Sequence, residues 1–316
     1  MTDLKIRWAL HRDESEPTTR QRGLFIIREL ASQGYDVAAW DGSSHADIIV
    51  LQYNMRLLNE AMRTGATVVA DINDMVFAEH HPYYRETIAG LQRVHCVTAG
   101  TERIRQHLRR LHPFVRVVEE PVDPRYFAVE PKKHEGVNLV WCGMNDNLVY
   151  FRECDDALEQ LAREFEFTVN IVCPKMDGFG KPNADKVAAK PYPAEFHEWT
   201  RERLLEQMAL ADMAVVPLFS TEWCQGKSGN KSLSFMAAGI PTTASDVLPY
   251  RPIIDHGRNG FLCTHPEDWY DALHGQLTDA QLRRSIGVAG RLTANQFTVE
   301  KIADDWLAVF EEIRPR

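Results

Sequence analysis

KSGNKSLSFMAAGIPTTAS, residues 227–245, reads as a basic turn, a short helix, a sharp stop and a buried strand. A helix N-terminus presents unpaired N–H groups and a partial positive charge. Lys227 and Lys231 add two ammonium groups there, which suits the stretch to a phosphate or diphosphate. Gly229 lets a ligand approach the backbone closely. Ser228 and Asn230 either turn N–H groups toward the same anion or simply cap the helix. Gly239 ends the helix, and Pro241 prevents its continuation.

Outward from this stretch, apolar runs alternate with helical patterns. Strands are expected at 6–10, 37–40, 47–51, 67–70, 95–98 and 115–118, with helices at 19–33, 57–63 and 102–111. Residues 119–136 carry Pro121, Pro124 and Pro131 and read as a connection. The alternation then restarts. Strands are expected at 137–141, 168–172, 213–217, 241–245 and 261–263. Helices are expected up to 164 and at 201–210, 267–276, 279–295 and 299–313, with a polar loop at 176–186. Near-continuous apolar strands between helices imply parallel sheets covered on both faces. The fold class is therefore α/β, with two open sheets in tandem. Ligands of such sheets bind beyond the carboxyl ends of the strands, so a cleft between the two is the expected site. Neither first strand is followed by G-x-G-x-x-G, which disfavours a dinucleotide-dependent dehydrogenase.

The 316 residues suffice for two domains, and the net charge of −9 argues against a general nucleic-acid binder. No apolar run reaches the roughly 20 residues that cross a bilayer. The start, MTDLKIRWAL, lacks the long apolar region of a signal peptide, so a cytoplasmic protein is expected. Six scattered cysteines form no CxxC pair, which speaks against a disulfide framework or zinc site. The His80–His81 doublet reads as a solvated loop.

Several segments together resemble one family. The run from Ala211 through Pro217, Lys231, Gly239 and Pro241 to Asp255, Gly257, Asn259 and Gly260 is similar to the donor domain of retaining GT-B glycosyltransferases of the family 4 type. Glu267–Trp269 and Ala289–Arg291 continue it. The first half resembles the acceptor domain of a short bacterial branch, through Thr18–Arg22, Asp71–Phe77, Thr98–Thr101 and Pro121–Asp123. The resemblance implies a GT-B fold, two Rossmann-like domains facing each other across a cleft. It divides the chain into an acceptor domain (1–120), a linker (121–136), a nucleotide-sugar domain (137–298) and a helix (299–316) crossing back to the first domain. It implies transfer from a UDP- or GDP-linked sugar to a hydroxyl acceptor, with retention and without metal or other cofactor. The alternatives are a degenerate nucleotide-sugar-binding protein, or a hydrolase or epimerase of nucleotide sugars. Two departures stand out. The family commonly places glutamates where this chain has Gly226 and Ser234, and an arginine and a lysine where Met144 and its neighbours follow Gly143.

The candidate catalytic residues are Lys227 and Lys231, on the departing diphosphate, and Asp71 and Asp74, on acceptor or sugar hydroxyls. Substrate binding falls to Arg20, Arg22, Gly143, Trp199, Ser228, Gly229, Asn230, Ser234 and Tyr250. Arg20 and Arg22 suit a diphosphate or an anionic acceptor, or pair with nearby glutamates. Asp71 and Asp74 either face the cleft or cap the next turn. Trp199 is a base-stacking platform or a structural indole, and Tyr250 reaches the sugar or packs. The acceptor is a glycan, a lipid-linked or a small molecule, with nucleic acid the lesser alternative. Arg103, Arg109 and Arg110 form a basic face, read as solvated and alternatively as a peripheral contact for an anionic membrane or acceptor.

Overall fold

The computed structural model describes residues 4–53, 55–76, 81 and 84–314. Phe77 and His80 of the sequence reading lie outside the described residues. The chain divides into two compact units, the first comprising Met1–Val122, Gly226–Ser228 and Phe297–Arg316, the second Asp123–Gln225 and Gly229–Gln296.

In the first unit six strands pair in parallel in the order β2-β1-β3-β4-β5-β6. They are β1 (Lys5–Ala9), β2 (Asp36–Ala39), β3 (Ile48–Gln52), β4 (Thr67–Ile72), β5 (Cys96–Ala99) and β6 (Val115–Val117). β3 and β5 are buried at every position, as strands covered on both faces must be. The helix after β1 opens as a wide π-helical turn, Thr19–Leu24, before becoming regular over Phe25–Ser32. Gly23 packs close under Leu10, whose Cδ2 would have to move for a Cβ that would otherwise lie 2.4 Å from it. β4 runs two residues further than the apolar run suggests, so Asp71 lies inside the strand rather than past its end.

The helix Val299–Glu312 belongs to this first unit. Its apolar residues recur at helical spacing and bury one stripe: Val299, Ile302, Ala303, Trp306, Val309 and Phe310. They share a core with Ile6, Trp8, Ile26 and Leu30. The Trp306 ring meets Trp8 edge-on, centroids 5.1 Å apart, and stacks on Phe310 at 5.5 Å.

The second unit has six parallel strands in the order β12-β11-β10-β7-β8-β9. These are β7 (Asn138–Cys142), β8 (Thr168–Cys173), β9 (Ala194–Glu198), β10 (Met213–Val216), β11 (Thr242–Ser245) and β12 (Phe261–Cys263). β9 has no counterpart in the sequence reading. Its residues AEFHE are half-exposed, as an edge strand tolerates, and charge hides the apolar signal. The single helix expected up to 164 is two pieces, a 3₁₀ stretch at Asn145–Glu153 and a helix at Asp155–Leu161. The expected loop at 176–186 contains the start of a helix, Asn183–Ala188. Trp141, Phe151, Leu158 and Trp269 lie in the core of this unit.

Among the described residues no helix is long and apolar enough to cross a membrane. All six cysteines are free thiols, five of them buried, and burial pushes the Cys96 thiol up to about 12.

Trp306→Ala is expected to lower unfolding free energy by about 3–5 kcal/mol, the cost of emptying a large aromatic site. Urea denaturation checks it, and a loss under about 1 kcal/mol would contradict the docking of this helix.

Candidate functional site

The stretch 227–245 folds as its sequence reads. The helix spans Asn230–Ala237, Gly239 takes φ +74°, and β11 follows. The stop is a Schellman-type turn: Ile240 N–H donates to Phe235 O at 3.0 Å and Gly239 N–H to Met236 O at 2.9 Å.

The start of this helix carries no side-chain cap. Its N-cap residue is Gly229, and a Cβ there would sit 1.9 Å from Ile253 Cδ1 and 2.8 Å from Pro249 O. Glycine is thus forced by packing, and glycine has no side chain with which to cap. Ser228 does not take over. Ser228 Oγ donates to Glu120 Oε2 at 2.8 Å, within the first unit. The capping reading of Ser228 is therefore corrected. The helix start keeps the positive end of its dipole, to which the N-cap residue adds no side chain.

Lys231 stands in that first turn. Its Nζ lies 4.9 Å from the centre of the Trp141 ring, a cation–π contact. Gly143 belongs to the same arrangement, because a Cβ there would fall 2.2 Å from Trp141. Gly143 thus lets the chain leaving β7 fold over the indole that carries Lys231. Burial pushes the Cys142 thiol up, and Lys231 pulls it back in part. Tyr250 lies in the turn beside Gly229 and is buried, which raises its phenol. The structure gives it to packing rather than to a surface. Ser234 Oγ donates to Asn230 O at 2.8 Å, so its hydroxyl turns back onto its own helix. Trp199 is half-exposed at the end of β9, its backbone N–H donating to Cys173 O at 2.9 Å. It shares the carboxyl edge of the sheet with Gly143, two strands away, or about 10 Å.

The first unit treats its candidates differently. Arg22 and Asp71 have no exposed surface. Arg22 Nε and Nη2 grip both oxygens of Asp71 at 3.0 and 2.5 Å, and Nη1 donates to Val118 O at 2.7 Å. Thr98 Oγ1 donates to Asp71 Oδ1 at 2.7 Å. Burial alone lowers the Arg22 guanidinium, but the Asp71 charge and hydrogen bonds outweigh it and leave it raised. This corrects the ligand-binding reading of both residues, whose polar edges are spent on each other. Arg20 is buried too, its Nη1 donating to the carbonyls of Glu14 at 2.8 Å and Ser15 at 3.1 Å. Asp74 differs. It is half-buried at the end of β4, and burial raises its carboxyl while Lys227 counters the shift.

The sequence reading missed Asn73, Glu120 and Trp141. Asn73 stood between two singled-out aspartates, and Glu120 beside Pro121, so the signal was position alone. Among the described residues no three His, Cys, Asp or Glu side chains gather as a metal site.

The family described as "Glycosyl transferases group 1" matches residues 135–279. Those residues form a group 1 glycosyltransferase domain. The match takes in β7, Trp141, Gly143, Trp199 and the helix that carries Lys231. A D-inositol 3-phosphate glycosyltransferase of Jonesia denitrificans is 32% identical over 116 residues, 36% of this chain and 26% of that protein. The chain thus spans less than a third of the curated relatives it matches. Over the whole chain the fold is that of GT-B glycosyltransferases. Anabaena HepE, solved with UDP and glucose, superposes with a TM-score of 0.73 at 14% identity, over 98% of this chain and 99% of that one. A glycosyltransferase from Rickettsia africae gives 0.72 at 12% identity, over 98% and 99%.

Asp71→Ala leaves the Arg22 charge buried alone and is expected to cost about 3–5 kcal/mol of stability. The denaturation midpoint reads this, and an unchanged midpoint would return Asp71 to the list of ligand contacts.

Proposed function

We propose that the chain is a glycosyltransferase that moves a sugar from a nucleoside-diphosphate donor, UDP- or GDP-linked, to a hydroxyl acceptor. One observation carries the reading: the group 1 domain holds a helix start with no side-chain cap and Lys231 in its first turn. Nucleoside diphosphate is the leaving group of such a transfer, and its growing negative charge is what this start stabilises. The relatives support it, since they are glycosyltransferases by name and one structural neighbour was solved with UDP and glucose.

The chemistry follows from the charge. The bond between the anomeric carbon and the β-phosphate oxygen breaks as the acceptor oxygen bonds to that carbon. The acceptor proton passes to the departing phosphate on the same face, so configuration is retained and no carboxylate base is required. Lys231 and the helix N–H groups hold the diphosphate, and no metal is needed for that charge. Gly143 and Gly229, required by packing on Trp141 and Ile253, set the backbone around the donor, and Trp199 stacks on the base. The relatives' name specifies a phosphorylated cyclitol as acceptor, but the family match lies at 135–279, so that acceptor is not carried over.

A second reading is favoured by Ser234. It occupies the position of a family carboxylate and turns its hydroxyl inward, so the chain binds a nucleotide sugar without transferring it.

Thermal shift against UDP, GDP, ADP and CMP tests the donor site. One nucleotide at about 100 times its Kd is expected to stabilise the protein by about 2.7 kcal/mol, and Lys231→Ala to abolish most of it. EDTA is expected to leave the shift unchanged. No shift with any nucleotide defeats the proposal. A shift without nucleoside diphosphate release from the matching nucleotide sugar, across an acceptor panel, selects the binding-only reading.

A further inference from the structure

The exits of β4 and β6 in the first unit place Asn73, Asp74 and Glu120 together. Asn73 is 7% exposed and Glu120 8%. Gly100 permits the crowding, since a Cβ there would lie 2.6 Å from Asn73 Cβ and 2.9 Å from its Cα. The Asn73 amide has a fixed sense. Its Nδ2 donates to Glu120 Oε1 and reaches toward Thr18 Oγ1 at 3.4 Å. Turning the amide over would set Oδ1 against the Glu120 carboxylate. Oδ1 is therefore left as a buried acceptor with no hydrogen bond among the described residues. Such an atom is destabilising unless a donor reaches it.

The charge here is acidic. Asp74 and Glu120 are two carboxylates against the ammonium of Lys227, with His81 also acting on Asp74. Arg22 is committed to Asp71, and Arg20 donates to backbone carbonyls. Burial is what raises the Asp74 carboxyl; Lys227 is the largest charge acting on it and lowers it, while Glu120 adds a smaller rise. The groups that converge are thus hydrogen-bond acceptors. Polyol hydroxyls and ammonium groups donate to acceptors. Phosphate and carboxylate oxygens, fully ionised, only accept.

We propose that this edge of Asn73, Asp74 and Glu120 takes a carbohydrate acceptor bearing no anionic group, and turns away a phosphorylated or carboxylated one. The inference rests on the transferase reading and deepens it. It replaces an anionic acceptor held by Arg20 and Arg22 with a neutral or amine-bearing polyol held by carbonyl and carboxylate oxygens. Glu120 is a positioning residue, fixing the sense of the Asn73 amide.

The test is a titration of the ¹⁵N-labelled full chain with glucose, glucosamine and glucose 6-phosphate, following the Asn73 side-chain amide resonances. Saturable shifts with glucose or glucosamine are expected, with glucose 6-phosphate weaker by at least about tenfold. Glu120→Gln removes the charge and keeps one oxygen to accept from Asn73 Nδ2, with its NH2 donating toward Ser228 Oγ, so it is expected to narrow that gap. Equal or tighter binding of glucose 6-phosphate overturns the proposal. So does the absence of a shift with all three sugars, or an unchanged gap in a folded Glu120→Gln protein. Resonances of Lys231 followed in the same sample with UDP and GDP report the donor site separately, so the two readings fail independently.

Discussion

The Arg22–Asp71 pair governs the first unit. Both side chains are wholly buried, and taking two charges out of water costs several kcal/mol per ion before attraction returns any of it. The cost is offset only because nearly every polar atom is met: two guanidinium nitrogens on the carboxylate, a third on Val118 O, and Thr98 on Asp71. Those partners come from the turn after β1, from β4 and β5, and from the chain just past β6. The pair therefore ties the carboxyl ends of neighbouring strands to one helix. Trp306 closes the arrangement, its ring 6.0 Å from the Arg22 guanidinium carbon. Whatever contacts a ligand at this edge stands on that scaffold.

The second unit reaches comparable order with backbone and glycine rather than charge. Gly229 and Gly143 are required by close contacts with Ile253 and Trp141. Each contact fixes where an N–H group or an ammonium is displayed. Gly287 does the same behind the helix, since a Cβ there would press to 2.1 Å from Gly239 O. The helix is thereby held by packing at both its ends, at Gly229 and at Gly239.

Most of the fold was legible from alternation alone. Apolar runs such as Ile48–Gln52 signal a strand covered on both faces, and the stop at Gly239 signals its own turn. What escaped was determined by environment. β9 alternates charged and apolar residues because it is an edge, and periodicity cannot separate that from a loop. Asp71 looked like a residue beyond a strand because a charge ordinarily ends an apolar run. Only Arg22, 49 positions away, makes it a strand residue. Sequence likewise marks Lys231 and Gly143 without showing that one indole joins them, and it offers no sign that Glu120 sets the direction of the Asn73 amide.

The helix Val299–Glu312 completes a core begun by Ile6 and Trp8, nearly 300 positions earlier. On the ribosome, synthesis proceeds at about 5–20 residues per second, so the first sheet waits tens of seconds for its last layer. Through that interval the face around Trp8 lacks its cover. The second unit draws its residues from within the span between those two segments, so it has everything it needs to fold first. The order of folding along this chain is therefore the reverse of the order of translation: the unit begun first is the last to close.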